Sequence, residues 1–374
     1  MNAAAPGRTS AQANERTSEW PVGFLLDEIW LRGRRTLVNA LEAAELWPAT
    51  PDFMAFRKAQ KARGERLRDG LLSEALAADD RRWLMSPSMF GIANRRFKSS
   101  TPMALAFGHG LGDALQRAAG AQVDETISET CGLFNFGISI FDLLHDAQPE
   151  LIPEFASHFN SGTLQRLHSG AASPGALNAA ALESEAPEIR LLLQTIAAVY
   201  QRLYRLAAGA DGPAFKRLAS LLASAYAAEM RSSRADAATA KERLDISRAK
   251  SALPFLIISA ICALPDPSGF NTALADNLAT EMGTIFWLTD DLVDVIGDSR
   301  GGALNSLLAR AENYAPSDIR GNLTALIDSD HIVAAAASIR DSLLCVRAAL
   351  QLGGPDKAGD LDRLLACHVR MWLE

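Results

Sequence analysis

Gly283-Thr-Ile-Phe-Trp-Leu-Thr-Asp-Asp-Leu-Val-Asp-Val-Ile-Gly-Asp298 is the stretch from which the rest of the chain is read. Asp290, Asp294 and Asp298 fall four apart, so on a helix they lie along one face and drift only slightly around its axis. Asp291 stands a short step to the side, close enough to lean in. Gly283 and Trp287 are expected to continue the acidic stripe toward the N-terminus. Stacked carboxylates repel one another, and in an apolar helix that costs stability unless a positive charge sits among them. Hard divalent cations take oxygen ligands, and magnesium is typically held by one or two carboxylates together with substrate phosphates. A charge run is more often simply a solvated face. Here the flanks Thr284-Ile285-Phe286-Trp287-Leu288 and Leu292-Val293 leave little polar surface for water to cover, which favours the metal reading.

The same helical period extends through almost the whole sequence. Leu192, Ile196, Val199, Leu203 and Leu206 recur every three or four residues, and so do Ile332, Ala336, Ile339, Leu343, Val346 and Leu350. Alternating strand patterns bounded by turn residues are absent. The fold class expected is all-α, a single helical bundle of roughly a dozen helices around a central apolar cavity. Breaks are expected at Pro51, Ser86-Pro87-Ser88, Ser100-Thr101-Pro102, Pro149, Pro153, Gly209 to Pro213, Pro265 to Gly269, Gly301-Gly302, Pro316 and Gly353 to Pro355. The Ala-, Gly- and Ser-rich stretch Ser169–Pro187 reads as a long mobile loop. Similar amphipathic helices resume on both sides of each break, so residues 19–374 read as one domain.

Composition narrows the function. The chain has 374 residues, 48% hydrophobic content and a net charge of −7. No aromatic-laced basic stripe is present, which disfavours nucleic acid as a partner. Cys131, Cys262, Cys345 and Cys367 are scattered without metal-finger spacing, as expected of reduced thiols in a cytoplasmic protein. Residues 1–18 lack an apolar core segment and read as a disordered arm. The longest apolar run, Ala252 to Leu264, is too short to span a bilayer and carries Pro254, so no transmembrane segment is expected.

A second acidic cluster lies upstream in Phe134-Asn-Phe-Gly-Ile-Ser-Ile-Phe-Asp-Leu-Leu-His-Asp146. Asp142 and Asp146 share one helix face, with Asn135 and Ser139 near the same stripe. Pro149 disfavours helical geometry at Gln148, so the helix should end just after Asp146. The dipole disfavours acids at that end, which points to a functional reason for them. His145-Asp146 could also be half of a two-metal hydrolase site. That chemistry needs further histidines, and His109, His158, His168, His331 and His368 show no ligand spacing from one another. Two acidic clusters on separate apolar helices suggest one shared site instead. Facing each other across a bundle, they could hold several magnesium ions over a diphosphate, with a hydrocarbon chain in the apolar space below.

These motifs resemble those of the class I isoprenoid synthase superfamily: trans-prenyl diphosphate synthases, squalene/phytoene synthases and class I terpene synthases. Gly283-x-x-Phe286-x-x-x-Asp290-Asp291-x-x-Asp294 is similar to the second aspartate-rich motif, GxxFQxxDDxxD, of the prenyl synthases. Asp142-x-x-x-Asp146 resembles the DxxxD motif of the head-to-head synthases. Lys250-Ser251, read as opening an apolar helix, resembles a Lys-Thr pair that contacts diphosphate. The resemblance spans about residues 90–300. It implies the isoprenoid synthase fold, a prenyl diphosphate substrate, three magnesium ions as cofactors and a homodimer. It also implies metal ligands at Asp142, Asp146, Asp290, Asp291 and Asp294 and a diphosphate contact from Lys250; Asp298 is a further candidate ligand, and Arg243 and Arg96 are further candidate diphosphate contacts.

The departures narrow the reaction. Trp287 replaces the expected Gln, and no GKRxRP-like stretch serves a second, isopentenyl substrate; Asn94 to Lys98 is a distant echo. An enzyme that ionises one prenyl diphosphate and guides the carbocation alone fits better, a terpene synthase acting as a lyase. Trp287 is then expected to shield the cation, because tryptophan offers the best aromatic face to positive charge. Phe134, Phe136, Phe141, Phe286 and Tyr226 are further candidates, of which one or two are expected in the pocket. A prenyltransferase (chain-lengthening or head-to-head) and a non-catalytic helical protein that binds a lipid diphosphate are the alternatives.

Overall fold

A computed structural model describes residues 20–85, 92–207, 212–232, 239–265, 269–301, 304–310, 315, 317–352 and 361–374, without the side chains of 92–100, 146, 147, 240 and 301. The expected disordered arm, the Ser86-Pro87-Ser88 turn and the breaks at Pro316 and at 353–355 lie outside the described residues. So does most of the breaks at 209–213 and 265–269. Among the described residues every regular element is helical, and one continuous apolar core ties them into a single bundle.

The helices that build the site come in chain order. Helix α1 is Val22–Ala43, α2 Thr50–Ala75, α3 Ala78–Met85, α4 Ile92–Ala118 and α5 Glu125–Ala147. After a 3₁₀ turn at Pro149–Leu151 come α6 Ile152–His158, α7 Ser161–His168, α8 Pro174–Glu183 and α9 Pro187–Leu206. Then follow α10 Pro213–Ser232, α11 Ala240–Cys262, α12 Thr272–Gly301, α13 Ser306–Ala309, α14 Ile319–Asp328, α15 His331–Leu352 and α16 Leu361–Leu373. Helix α5 packs against α4, and α11 packs between α10 and α12. Among the described residues one helical stretch, Glu125–His145, is long and apolar enough to cross a membrane, but it is mostly buried inside the bundle against neighbouring helices.

Among the described residues there are sixteen α-helices, more than the dozen read from the sequence, because loop-like stretches carry short helices such as α8 and α13, while some breakers do not break. Ser169–Pro187 is not one long loop: Pro174 starts α8 at its first position, where the missing N–H costs nothing, and Leu177 and Ala181 dock on the core. Pro102 sits inside α4 and Pro254 inside α11, each removing one helical hydrogen bond while packing holds the helix together. Of the break expected at Gly301-Gly302, Gly301 is still helical as the last residue of α12, and Gly302 lies outside the described residues. Lys250 stands in mid-helix, since α11 starts ten residues earlier with a Thr239/Glu242 capping box. The end of α5 after Asp146 is as expected: Ala147 is its last residue and Gln148 its cap.

Helices α11 and α12 nearly touch at their backbones. A Cβ placed on Gly283 would meet Ala252 Cα and Cβ at 2.7 Å. Glycine is therefore required there, and the contact sets how closely the two helices run. Gly283→Val should destabilise the protein by about 2–3 kcal/mol through overpacking, read as a lowered urea midpoint. A midpoint equal to that of the parent protein would show that the two helices can part freely.

Candidate functional site

Helix α12 carries two adjacent stripes, and they face different ways. Phe286 and Asp290 are one turn apart and both line a cavity of about 690 Å³. Gly283, Trp287 and Asp291, also spaced by fours, point elsewhere. Gly283 packs on Ala252, Trp287 Nε1 donates to Ser247 Oγ at 2.8 Å, and Asp291 accepts from the Ser306 N–H at 3.1 Å and from its hydroxyl. At about 100° per residue the two stripes are a quarter-turn or so apart, enough to separate cavity from interior wall.

This corrects two expectations. Trp287 does not line the cavity and cannot shield a cation there; it is a buried wall residue between α11 and α12. Asp291 is held by Ser306, the first residue of the short helix α13, whose N-cap is Asn305, and does not line the cavity with Asp290. Its burial raises its pKa to about 6, with the Ser306 donors, Lys250 and Arg310 opposing the rise. Asp298 has drifted further around the axis and accepts from Asn305 Nδ2 at 2.9 Å, in the junction between α12 and α13.

The two sequence-remote acidic clusters do meet. Asp142 from α5 and Asp290 from α12 line the same cavity, with Lys250 of α11 between them. Lys250 Nζ lies 2.9 Å from Asp142 Oδ1 and 3.2 Å from Glu229 Oε1. Burial alone would lower the Lys250 pKa, but Asp142, Glu229 and Asp290 outweigh it and hold the ammonium charged. Asp290 is pushed well above the ordinary carboxylate range by burial, then by the charges of Asp294, Asp142 and Asp291, and Lys250 only partly offsets them. Asp294 is exposed one turn further on and acts on Asp290 through its charge. The Asp146 side chain and the Arg96 side chain lie outside the described residues. Arg243 is half-buried two turns before Lys250 on α11 and is not a lining residue.

Glu229 escaped the sequence reading. The signal was available: Leu222, Ala225, Tyr226 and Glu229 line the cavity at spacings of three and four along α10. A single acid in a long amphipathic helix gives no motif, and only the fold brings it to Lys250. His109 also has partners the spacing argument passed over. Its Nε2 is 3.1 Å from Glu125 and its Nδ1 3.6 Å from Asp113, but the cluster is off the cavity, and Asp113 is further satisfied by Arg63 at 3.7 Å and Ser128.

Below the charged end the cavity is apolar and aromatic. Phe286 stacks on Phe255 at 5.1 Å between ring centres and meets Phe107 and Trp372 edge-on at 4.9 and 5.3 Å. Of the five aromatic candidates, Phe134, Phe141, Phe286 and Tyr226 line the cavity and only Phe136 does not, so the expectation of one or two was too low. Carboxylates from different helices crowd at this end, enough that Asp290 is driven toward protonation. Each cation entering there would relieve repulsion that Lys250 alone leaves uncompensated. The chain matches no protein-family model and no curated protein sequence.

Proposed function

We propose that the chain is a class I terpene synthase-like enzyme, which ionises one prenyl diphosphate with magnesium and steers the carbocation to a cyclised or rearranged product. The observation that carries this reading is the joining of Asp142 and Asp290, remote in sequence, at the charged end of one apolar cavity of about 690 Å³. That volume falls within the range of sites that engulf a whole small ligand.

Asp142, Asp290 and Asp294, with Asp146 in sequence register, are the residues to hold magnesium, and Glu229 faces the same place. Bound there, the metal would neutralise charge developing on the leaving diphosphate, which lowers the barrier selectively in the transition state. Lys250 is held charged beside these carboxylates and is positioned to pair with a diphosphate oxygen. Phe286, one turn before Asp290, offers its ring to positive charge just inside the charged end, the part expected of Trp287. The aromatic walls exclude water, so the cation is not quenched prematurely.

The test is incubation with C10 to C25 prenyl diphosphates and magnesium, with and without isopentenyl diphosphate. Diphosphate release is measured alongside gas chromatography. Hydrocarbon or alcohol from a single substrate, lost on adding EDTA, is the expected result. A product that forms only with two substrates would replace this reading with a prenyltransferase. No diphosphate release from any chain length would leave only a binding protein.

A further inference from the structure

His368 on α16 lines the cavity yet is 2% exposed. Its ring is enclosed by Phe107 at 4.2 Å, Phe56 at 5.1 Å and Phe286 at 6.4 Å between ring centres. Nε2 is buried and has no hydrogen-bond partner. Five other neutral polar residues of the wall have partners. Asn135 donates to the Ala104 carbonyl, Ser139 to Asn135, Thr195 to Leu191 and Tyr226 to Phe159, while Tyr200 pairs with His168. An unsatisfied polar atom in an aromatic cage costs about 1–3 kcal/mol, which a phenylalanine or leucine would not. The fold thus tolerates at His368 a nitrogen that it does not use.

We propose that His368 is the base that ends the reaction, taking the proton whose loss turns the last carbocation into an olefin. This rests on the ionisation reading above. The C–H bond next to the cationic carbon breaks, its electron pair becomes the new C=C bond, and the proton goes to the imidazole lone pair. The imidazolium then passes the proton to the departed diphosphate before product leaves. Burial lowers the pKa of His368 to about 3, so the imidazole is neutral and keeps its lone pair at physiological pH. It also returns the proton readily. Phe286 adjoins both Asp290 along α12 and the His368 ring, and all three line the one cavity, which sets the imidazole within the same chamber as the charged end.

The experiment compares product ratios per molecule ionised for the parent protein, His368→Phe and His368→Asn, with diphosphate release and thermal melting measured in parallel. Neither replacement is basic, and Asn serves if Phe fails to fold. The expected result is that the main olefin falls at least about tenfold relative to other double-bond isomers and alcohols, the low end of what a positioned base contributes. Lower melting temperature or turnover with the product ratio preserved would overturn the assignment and leave His368 a packing residue. Absence of diphosphate release in the parent protein would sink the ionisation reading itself, and this proposal with it.

Discussion

Asp290→Asn should lower magnesium-dependent diphosphate release by about a thousandfold, the scale seen when a preorganised charge contact is removed from a transition state. The same change should leave the protein at least as stable as before. Asp290 is driven toward protonation by its burial and by neighbouring Asp294, Asp142 and Asp291. Asparagine keeps its shape, carries no charge and relieves that repulsion. A carboxylate kept mainly for packing would behave in the opposite way, with activity intact and melting temperature reduced. Turnover within tenfold of the parent protein, or a clear drop in melting temperature, would remove Asp290 from the mechanism. The two readouts together separate a working group from a structural one, since sites built for chemistry commonly carry a stability cost.

The second large effect is acid lability centred on His368. Its folded pKa, about 3, lies below the ordinary value of 6.5 because burial disfavours the charged ring. The unfolded chain therefore binds a proton that the folded chain refuses. The stability contribution is fully present above pH 6.5 and is lost as pH falls toward 3, at about 1.4 kcal/mol per pH unit. Between pH 7 and 4.5 the parent protein should lose about 2.5 kcal/mol more than His368→Phe does. Urea unfolding of both proteins at the two pH values measures this difference. His145 and His331 are also lowered by burial, but they remain in both proteins and cancel in the comparison. Parallel losses in the two proteins would show that His368 takes up its proton without unfolding.

The all-α class was legible because helical period is a local property, repeated in nearly every segment. The convergence of Asp142 with Asp290 was legible for a related reason: carboxylates that cost stability on two apolar helices need a common explanation. Finer orientation was not. Trp287 was placed on the acidic stripe as the residue one turn before Asp290, whereas the residue at that turn that lines the cavity with Asp290 is Phe286. A slip of one residue on a helix moves a side chain by about 100°, and nothing in the sequence says which stripe faces inward. Asp291 was misread for the same reason. Glu229 and His368 were invisible as site residues because each stands alone in its helix, and only packing brings one to Lys250 and the other to Phe107. Proline was over-read as a helix stop at Pro102, where packing overrides a local preference.

The backbone contact of Gly283 with Ala252 bears on any attempt to change the guest. Because α11 and α12 meet this closely there, their spacing sets the width of that side of the chamber, and prising them apart would pull Lys250 away from Asp290. Room for a longer or bulkier hydrocarbon has to be carved from the opposite panels. There Ile196 of α9 and Leu222 of α10 offer trimmable side chains rather than backbone. Resizing is thus a matter for those two helices, while the pair that meets at Gly283 is the jig that keeps the charged groups in register.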